Sequence, residues 1–346
     1  MTVKAFVAML MIPAGAWAQG FAGLGTEADG FSVPSEGYGF DFPQDHGPHP
    51  DYRIEWWYLT ANVQDGDGTP YGVQWTLFRS ALAPETRNGW QDPQIWFAHA
   101  AVTAQDDHFT AERIARGGIG QAGVVTYPFD AWIDDWQMAG PSFDDMRLTA
   151  QGTQFAYDLT LTAQGPLVFH GTNGFSVKSD QGQASYYYSQ PYFDVTGVLS
   201  LPDGDVDVTG SAWLDREWSS QPLADDQSGW DWFSLTFESG DKLMGFLLRN
   251  TNGDAFSSAT WIAPDGTTTA FEDGAFAAQP LDVTEVAGRE IPTTWAVQLP
   301  QKGIDVTVAA LNPKAWMAVS IPYWEGPVTV SGSHNGVGYL EMTGYD

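Results

Sequence analysis

The sequence predicts an all-β protein made of two antiparallel β-barrels in tandem, and three observations carry that reading. Short segments rich in Trp, Tyr, Phe, Val and Thr recur along the chain, which suits half-buried pleated strands. Turn signals separate them, among them Asp65-Gly66-Asp67-Gly68, Pro202-Asp203-Gly204, Ser239-Gly240-Asp241 and Pro264-Asp265-Gly266. The third observation is an internal repeat. Glu55-Trp56-Trp57-Tyr58-Leu59-Thr60 aligns with Asp231-Trp232-Phe233-Ser234-Leu235-Thr236, and the following strands end in Leu77-Phe78-Arg79 and Leu247-Leu248-Arg249. Each half also closes in a similar way. Tyr192-Phe193-Asp194 leads to Gly210-Ser211-Ala212-Trp213-Leu214-Asp215, and Tyr323-Trp324-Glu325 leads to Gly336-Val337-Gly338-Tyr339-Leu340-Glu341, which places Glu341 opposite Asp215 in the repeat.

Taken in order, residues 1–18 read as a cleavable export signal. Lys4 precedes the apolar run Ala5 to Ala14, and Ala16-Trp17-Ala18 fits a cut after Ala18. The expected location is therefore the periplasm or the outside of the cell. Residues 19–50, rich in Gly and Pro, read as an extended arm, and residues 51–220 as the first barrel. Within it, Asp107 to Arg116, with an acidic start and the stop Gly117-Gly118, is expected to be a short helix. Gln221-Pro222 and Asp225-Asp226-Gln227-Ser228 interrupt the pattern and place the boundary between Ser219 and Ser228. The second barrel then spans 229–346.

Composition narrows the function. The 346 residues carry 14 Lys+Arg against 43 Asp+Glu, a formal charge of −29, which repels phosphate backbones and anionic lipid. Nucleic acid is not an expected partner. No apolar run approaches the length of a membrane span. The absence of cysteine excludes disulfides, thiolate chemistry and a lipidated cysteine anchor. No P-loop, Rossmann, G-x-S-x-G or H-E-x-x-H motif is present, so no cofactor is expected.

The residues that could carry chemistry cluster in the first half. Alternation puts Trp213 on one face with Asp215 and Glu217, and Trp57 on the opposite face from Trp56 and Tyr58. If the Asp215 face points into the barrel, desolvation favours the protonated acid, which suits it to protonate an alkene. Indole faces can stabilise the resulting cation. Glu217 and His99 could assist, and Trp57, Trp75, Trp213, Trp218 and Tyr187 could line a pocket. A satisfied core histidine is the plain alternative for His99. Glu55, Arg79, Asp231 and Arg249 repeat in both halves, which suits structural ion pairs. His46, His49, His99 and Asp45 could in principle surround a metal, but the spacing favours Asp45 and His46 tying the arm across the barrel mouth, and no metal is expected.

The strings FPQDHGPHPDYRIEWWYLT, WTLFRS, WFAHAAVT, SYYYSQP, GSAWLDREWS and YWEGPVTVSG…GVGYLEMTGYD resemble, in order, the secreted two-barrel lipocalin-like family of AttH-type proteins and carotenoid 1,2-hydratases. The resemblance runs from Phe42 to Asp346. It implies two lipocalin-like barrels, and for the hydratases a key aspartate in an aromatic-x-Asp context, matched here by Trp213-Leu214-Asp215. It also implies an apolar, isoprenoid or lipid-like ligand and a link to ABC-type export components. Three functions follow: an exported hydratase without a cofactor, a lipocalin-like carrier of an apolar ligand, or a structural protein whose barrels are filled by their own aromatics.

Overall fold

In the computed structural model the described residues are 28–85 and 87–345, so the export-signal segment 1–18 lies outside them. The first sheet contains β1 (Ile54–Gln64), β2 (Pro70–Ala81), β3 (Gln94–Thr103), β4 (His108–Arg116), β5 (Ala122–Val125), β6 (Phe129–Ile133), β7 (Trp136–Ser142), β8 (Asp145–Gln151), β9 (Ala156–Ala163), β10 (Val168–Phe169), β11 (Phe175–Val177), β12 (Ala184–Leu201) and β13 (Gly204–Ser219). The second contains β14 (Gln227–Phe237), β15 (Lys242–Asn250), β16 (Ala255–Ile262), β17 (Thr268–Phe271), β18 (Ala277–Val286), β19 (Arg289–Leu299), β20 (Ile304–Ala310), β21 (Trp316–Met317), β22 (Tyr323–Gly332) and β23 (Gly336–Met342). Among the described residues there is no α-helix.

The stretch expected to be helical, Asp107 to Arg116, is instead β4, paired antiparallel with β3 from Thr103↔His108 to Ile95↔Arg116. Its start is a hairpin turn and its glycines end the strand, so both helix signals belong to turns. Charged Glu112, Arg113 and Arg116 suit this edge strand, because charge discourages pairing with another chain.

Each sheet runs antiparallel and curls around its own core. The first has the order β4-β3-β2-β1-β13-β12-β9-β8-β7-β6-β5, the second β17-β16-β15-β14-β23-β22-β20-β19-β18. The first core holds Trp57, Trp75, Trp136, Leu214 and Trp218; the second holds Phe233, Trp295, Trp324 and Leu340. In β12 the inward face is set by Tyr186 and Tyr188 before residues 190–193 and by Phe193 and Val195 after them. The register shift between Gln190 and Phe193, at Pro191, makes that exchange of faces.

The arm seals the first barrel. Tyr38 stacks on Tyr186 at 4.3 Å between ring centroids, and His46 stacks on Phe143 at 3.9 Å. His49 lies over Trp218 at 3.8 Å and bonds both Asp45 and Glu55. Buried Glu55 anchors this end: it accepts from Arg79, from Arg216 at 3.1 Å and from the His49 backbone N–H at 2.8 Å. Burial opposes its charge, but Arg79, His49 and Arg216 hold the carboxyl well below its ordinary range. Asp231 and Arg249 form the corresponding pair in the second barrel. Replacing Glu55 by Gln leaves two buried guanidiniums short of their counter-charge. Glu55→Gln should lower unfolding free energy by about 3–5 kcal/mol in a denaturant titration, whereas Arg147→Ala, at an exposed ion pair, should change it by less than about 1 kcal/mol.

Candidate active site between the two barrels

Corresponding faces of the two sheets pack against each other, and this seam, not a barrel interior, holds the acids. On β1, Trp57, Leu59 and Ala61 point into the first core, while Tyr58 and Trp56 face the second barrel. On β14, Phe233 and Leu235 point inward and Trp232 and Trp230 face the first barrel. Strands buried on both faces carry apolar residues without alternation, which explains the unbroken aromatic strings.

A cavity in the seam is lined by Trp56, Tyr58, Tyr187, Trp230, Trp232 and Phe246 together with Asp215, Glu217, Glu341 and Lys178. Its volume is about 50 Å³, against roughly 10–15 Å³ needed for one water. That is room for the reacting end of a larger molecule. Pro222, on the crossing between the sheets, contributes to its wall.

Asp215 is 2% exposed and accepts three hydrogen bonds. Trp213 Nε1 donates to Oδ1 at 2.6 Å, Tyr187 Oη to Oδ2 at 2.8 Å, and Ser189 Oγ also to Oδ1. Behind them His170 Nε2 lies 2.6 Å from Ser189 Oγ, and Trp232 Nε1 donates to Tyr187 Oη at 3.1 Å. Burial pushes the Asp215 carboxyl up to about 7; the three donors limit the rise and the Glu217 charge adds to it. Glu217 is held by Lys178 at 2.9 Å and by Ser185. The Lys178 ammonium also lies 4.2 Å from the Phe246 ring centroid.

The second barrel contributes acids of its own. Glu341 accepts from Trp230 Nε1 at 2.7 Å, and burial, with Asp215 and Glu217 adding, raises its carboxyl to about 7. Directly across the strand pair stands Glu325, 1% exposed and bonded by Tyr58. Burial, then Glu341, lifts Glu325 well above its ordinary value. Two neighbouring carboxyls in an apolar seam do not both ionise easily.

The AttH-like family model matches residues 33–345. The chain belongs to the AttH-like family. A crystal structure assigned as an AttH of Nitrosomonas europaea is 32% identical and superposes with a TM-score of 0.82, covering 91% of this chain and all of that one. Kievitone hydratase from Nectria haematococca shares the fold at 15% identity and a TM-score of 0.69, covering 93% of this chain and 98% of that chain. No curated protein matches.

In this AttH-like chain the predicted site residues divide between the faces. Asp215, Glu217 and Tyr187 line the seam cavity, and Trp213 supports Asp215 from the same face. Trp57, Trp75 and Trp218 do not reach it, because strand parity turns them into the first core; Trp57 and Trp218 there flank Arg216, with the guanidinium 3.9 Å from the Trp57 ring centroid. The expectation that Asp215 faces the barrel interior is corrected by the same parity. His99 is buried in the seam against Tyr323, away from His46 and His49, so the residues weighed as a metal set do not converge. The repeat alignment is also corrected. Glu341 pairs with Trp232 as Glu217 pairs with Trp56, whereas the equivalent of Asp215 is Tyr339. The Gly-x-x-aromatic-Leu-acid string had aligned the halves two residues out of register.

Sequence reasoning passed over Glu325, Lys178 and His170, and treated Glu341 only as a duplicate. Parity on β14 and β23 was the available signal: Trp230, Trp232, Tyr339 and Glu341 fall on one face. Raised carboxyls make the folded state retain protons that the unfolded chain loses, so Asp215 and Glu341 diminish stability as pH rises from about 4 through about 7. Desolvation shifts His46, His99, His108 and His170 down, and they act in the opposite direction. The test is therefore a difference: the Tm of Asp215→Asn/Glu341→Gln minus that of wild type should become more positive between pH 5 and pH 8.

Proposed function

We propose that this protein adds water across a carbon–carbon double bond of an apolar, isoprenoid or lipid-like molecule whose reacting end enters the cavity between the barrels. The observation that carries the reading is Asp215, a carboxyl poised near neutrality on an aromatic wall and opposed by a second acid, Glu341. A base with a matched acid in a largely apolar cavity is what hydration needs.

The Asp215 carboxyl gives its proton to one alkene carbon, and the π pair forms the new C–H bond. The neighbouring carbon becomes cationic, next to the faces of Trp56, Trp230 and Trp232. The negative field of Glu217 and the ionised Glu341 also favour it. Water then forms a C–O bond, and its surplus proton passes to the Glu341 carboxylate. Substrate gains one hydrogen and one hydroxyl; Asp215 regains a proton from solvent and Glu341 releases one to it, so no net proton is taken up. Tyr187, held by Trp232, keeps Asp215 aimed at the cavity.

The likeness to kievitone hydratase supports this assignment at the level of fold. Export is part of the same proposal, supported by the signal-like residues 1–18, and association with ABC-type components is proposed from the resemblance to AttH-type proteins. The mostly apolar wall also favours a carrier of an unmodified apolar ligand, which the same experiment separates. Mature protein is incubated with isoprenoid and membrane-lipid extracts in oxygen-18 water, and free and bound lipids are read by mass spectrometry. Hydration predicts an oxygen-18 product whose rate falls at least about 100-fold in Asp215→Asn. An unmodified lipid held equally by both proteins would refute hydration and favour carriage.

A further inference from the structure

One chain of polar groups in the seam is not used by these steps and leads away from the cavity. It begins at Glu112 on edge strand β4, where the side chain is 21% exposed and bonded by Ser320. Its Oε1 lies 3.4 Å from Nε2 of His99, which is wholly buried. His99 Nδ1 lies 3.0 Å from Tyr323 Oη, and Gln74 Nε2 donates to the same hydroxyl at 3.2 Å. Tyr323 and Tyr58 both bond Glu325, and Tyr58 also reaches Glu341 in the cavity wall. Apolar neighbours Phe78 and Phe97 enclose the His99 ring, and buried Tyr157 and Tyr339 complete the surroundings of Glu325.

We propose that Glu112, His99, Tyr323, Glu325 and Tyr58 form a proton path joining solvent at the edge of the first sheet to Glu341 in the cavity. Each member can both give and accept a proton, and the members come from four strands of two barrels, β4, β3, β22 and β1, leading to Glu341 on β23. The path requires the neutral His99 tautomer with its proton on Nε2, 3.4 Å from Glu112 Oε1, and Nδ1 accepting from Tyr323. A proton released by water to Glu341 passes to Tyr58 as Tyr58 gives its own to Glu325; Glu325 gives one to Tyr323, Tyr323 to His99, and His99 to Glu112 and bulk water. One proton enters the path and one leaves. His99 and Tyr323 thereby act as relay residues for the site without touching substrate. The use of the path in turnover rests on the hydration reading; its conduction does not.

The test therefore needs no substrate. Protein at neutral pH is mixed rapidly into D2O, and the infrared carbonyl band of the protonated carboxyl is followed as it exchanges, with Glu325→Gln identifying the Glu325 component. Tyr323→Phe and His99→Leu should slow that exchange at least about tenfold while the band remains. Glu112→Gln, at the partly exposed end of the path, should slow it in the same direction. Exchange at the wild-type rate in folded Tyr323→Phe, or in Glu112→Gln if the buried variants do not fold, would overturn the path. So would the absence of any band lost in Glu325→Gln, since an ionised Glu325 has no proton to pass on.

Discussion

The constraint on which the rest depends is that two sheets bury the outer faces of their opening and closing strands against each other. A strand with one face in a barrel core and the other in a seam has no wet side, so β1, β13 and β14 carry large apolar and aromatic residues at consecutive positions. Polar groups on such strands must find partners within the protein. They do so in two different ways. Inside the barrel end, Glu55 is charge-matched by Arg79 and Arg216. In the seam, Lys178 is the cation on the cavity wall, facing Asp215, Glu217 and Glu341.

That imbalance separates structure from chemistry. Glu55, with two guanidinium partners, is held ionised and fixes register, whereas Asp215, with neutral donors in an apolar wall, keeps its proton into the neutral range. Glu55 and Asp215 both lie on the shared pair β1 and β13, yet on opposite faces, and their carboxyls are driven in opposite directions. The seam also explains why one site can draw on both halves of a duplicated chain. Asp215 and Glu217 come from the first barrel, Glu341 and Glu325 from the second, and the cavity is complete only when both are in place.

Much of the fold was legible because its signals are local. Turn residues, the repeated opening strands and the coupled Glu55/Arg79 and Asp231/Arg249 positions read correctly from spacing. The helix expected at Asp107 to Arg116 failed because a hairpin turn and a helix start use the same acidic residues, and pairing with β3 decides between them. Parity correctly grouped Trp213, Asp215 and Glu217 but could not say what lay outside the barrel wall, so the acids were placed inside. Trp57, Trp75 and Trp218 were drawn towards the pocket by residue type, although parity sets them on the inner face. The equivalence of Asp215 and Glu341 failed by two residues, a slip that a string match tolerates and a strand ladder does not.

In the proposed function, ligand enters the seam and not a barrel. A crystal structure of the protein soaked with a neutral isoprenoid alkene is the decisive measurement. Density is expected between Trp56 and Trp232, with the double bond against Asp215. Density inside the first barrel, against Trp75, would contradict it.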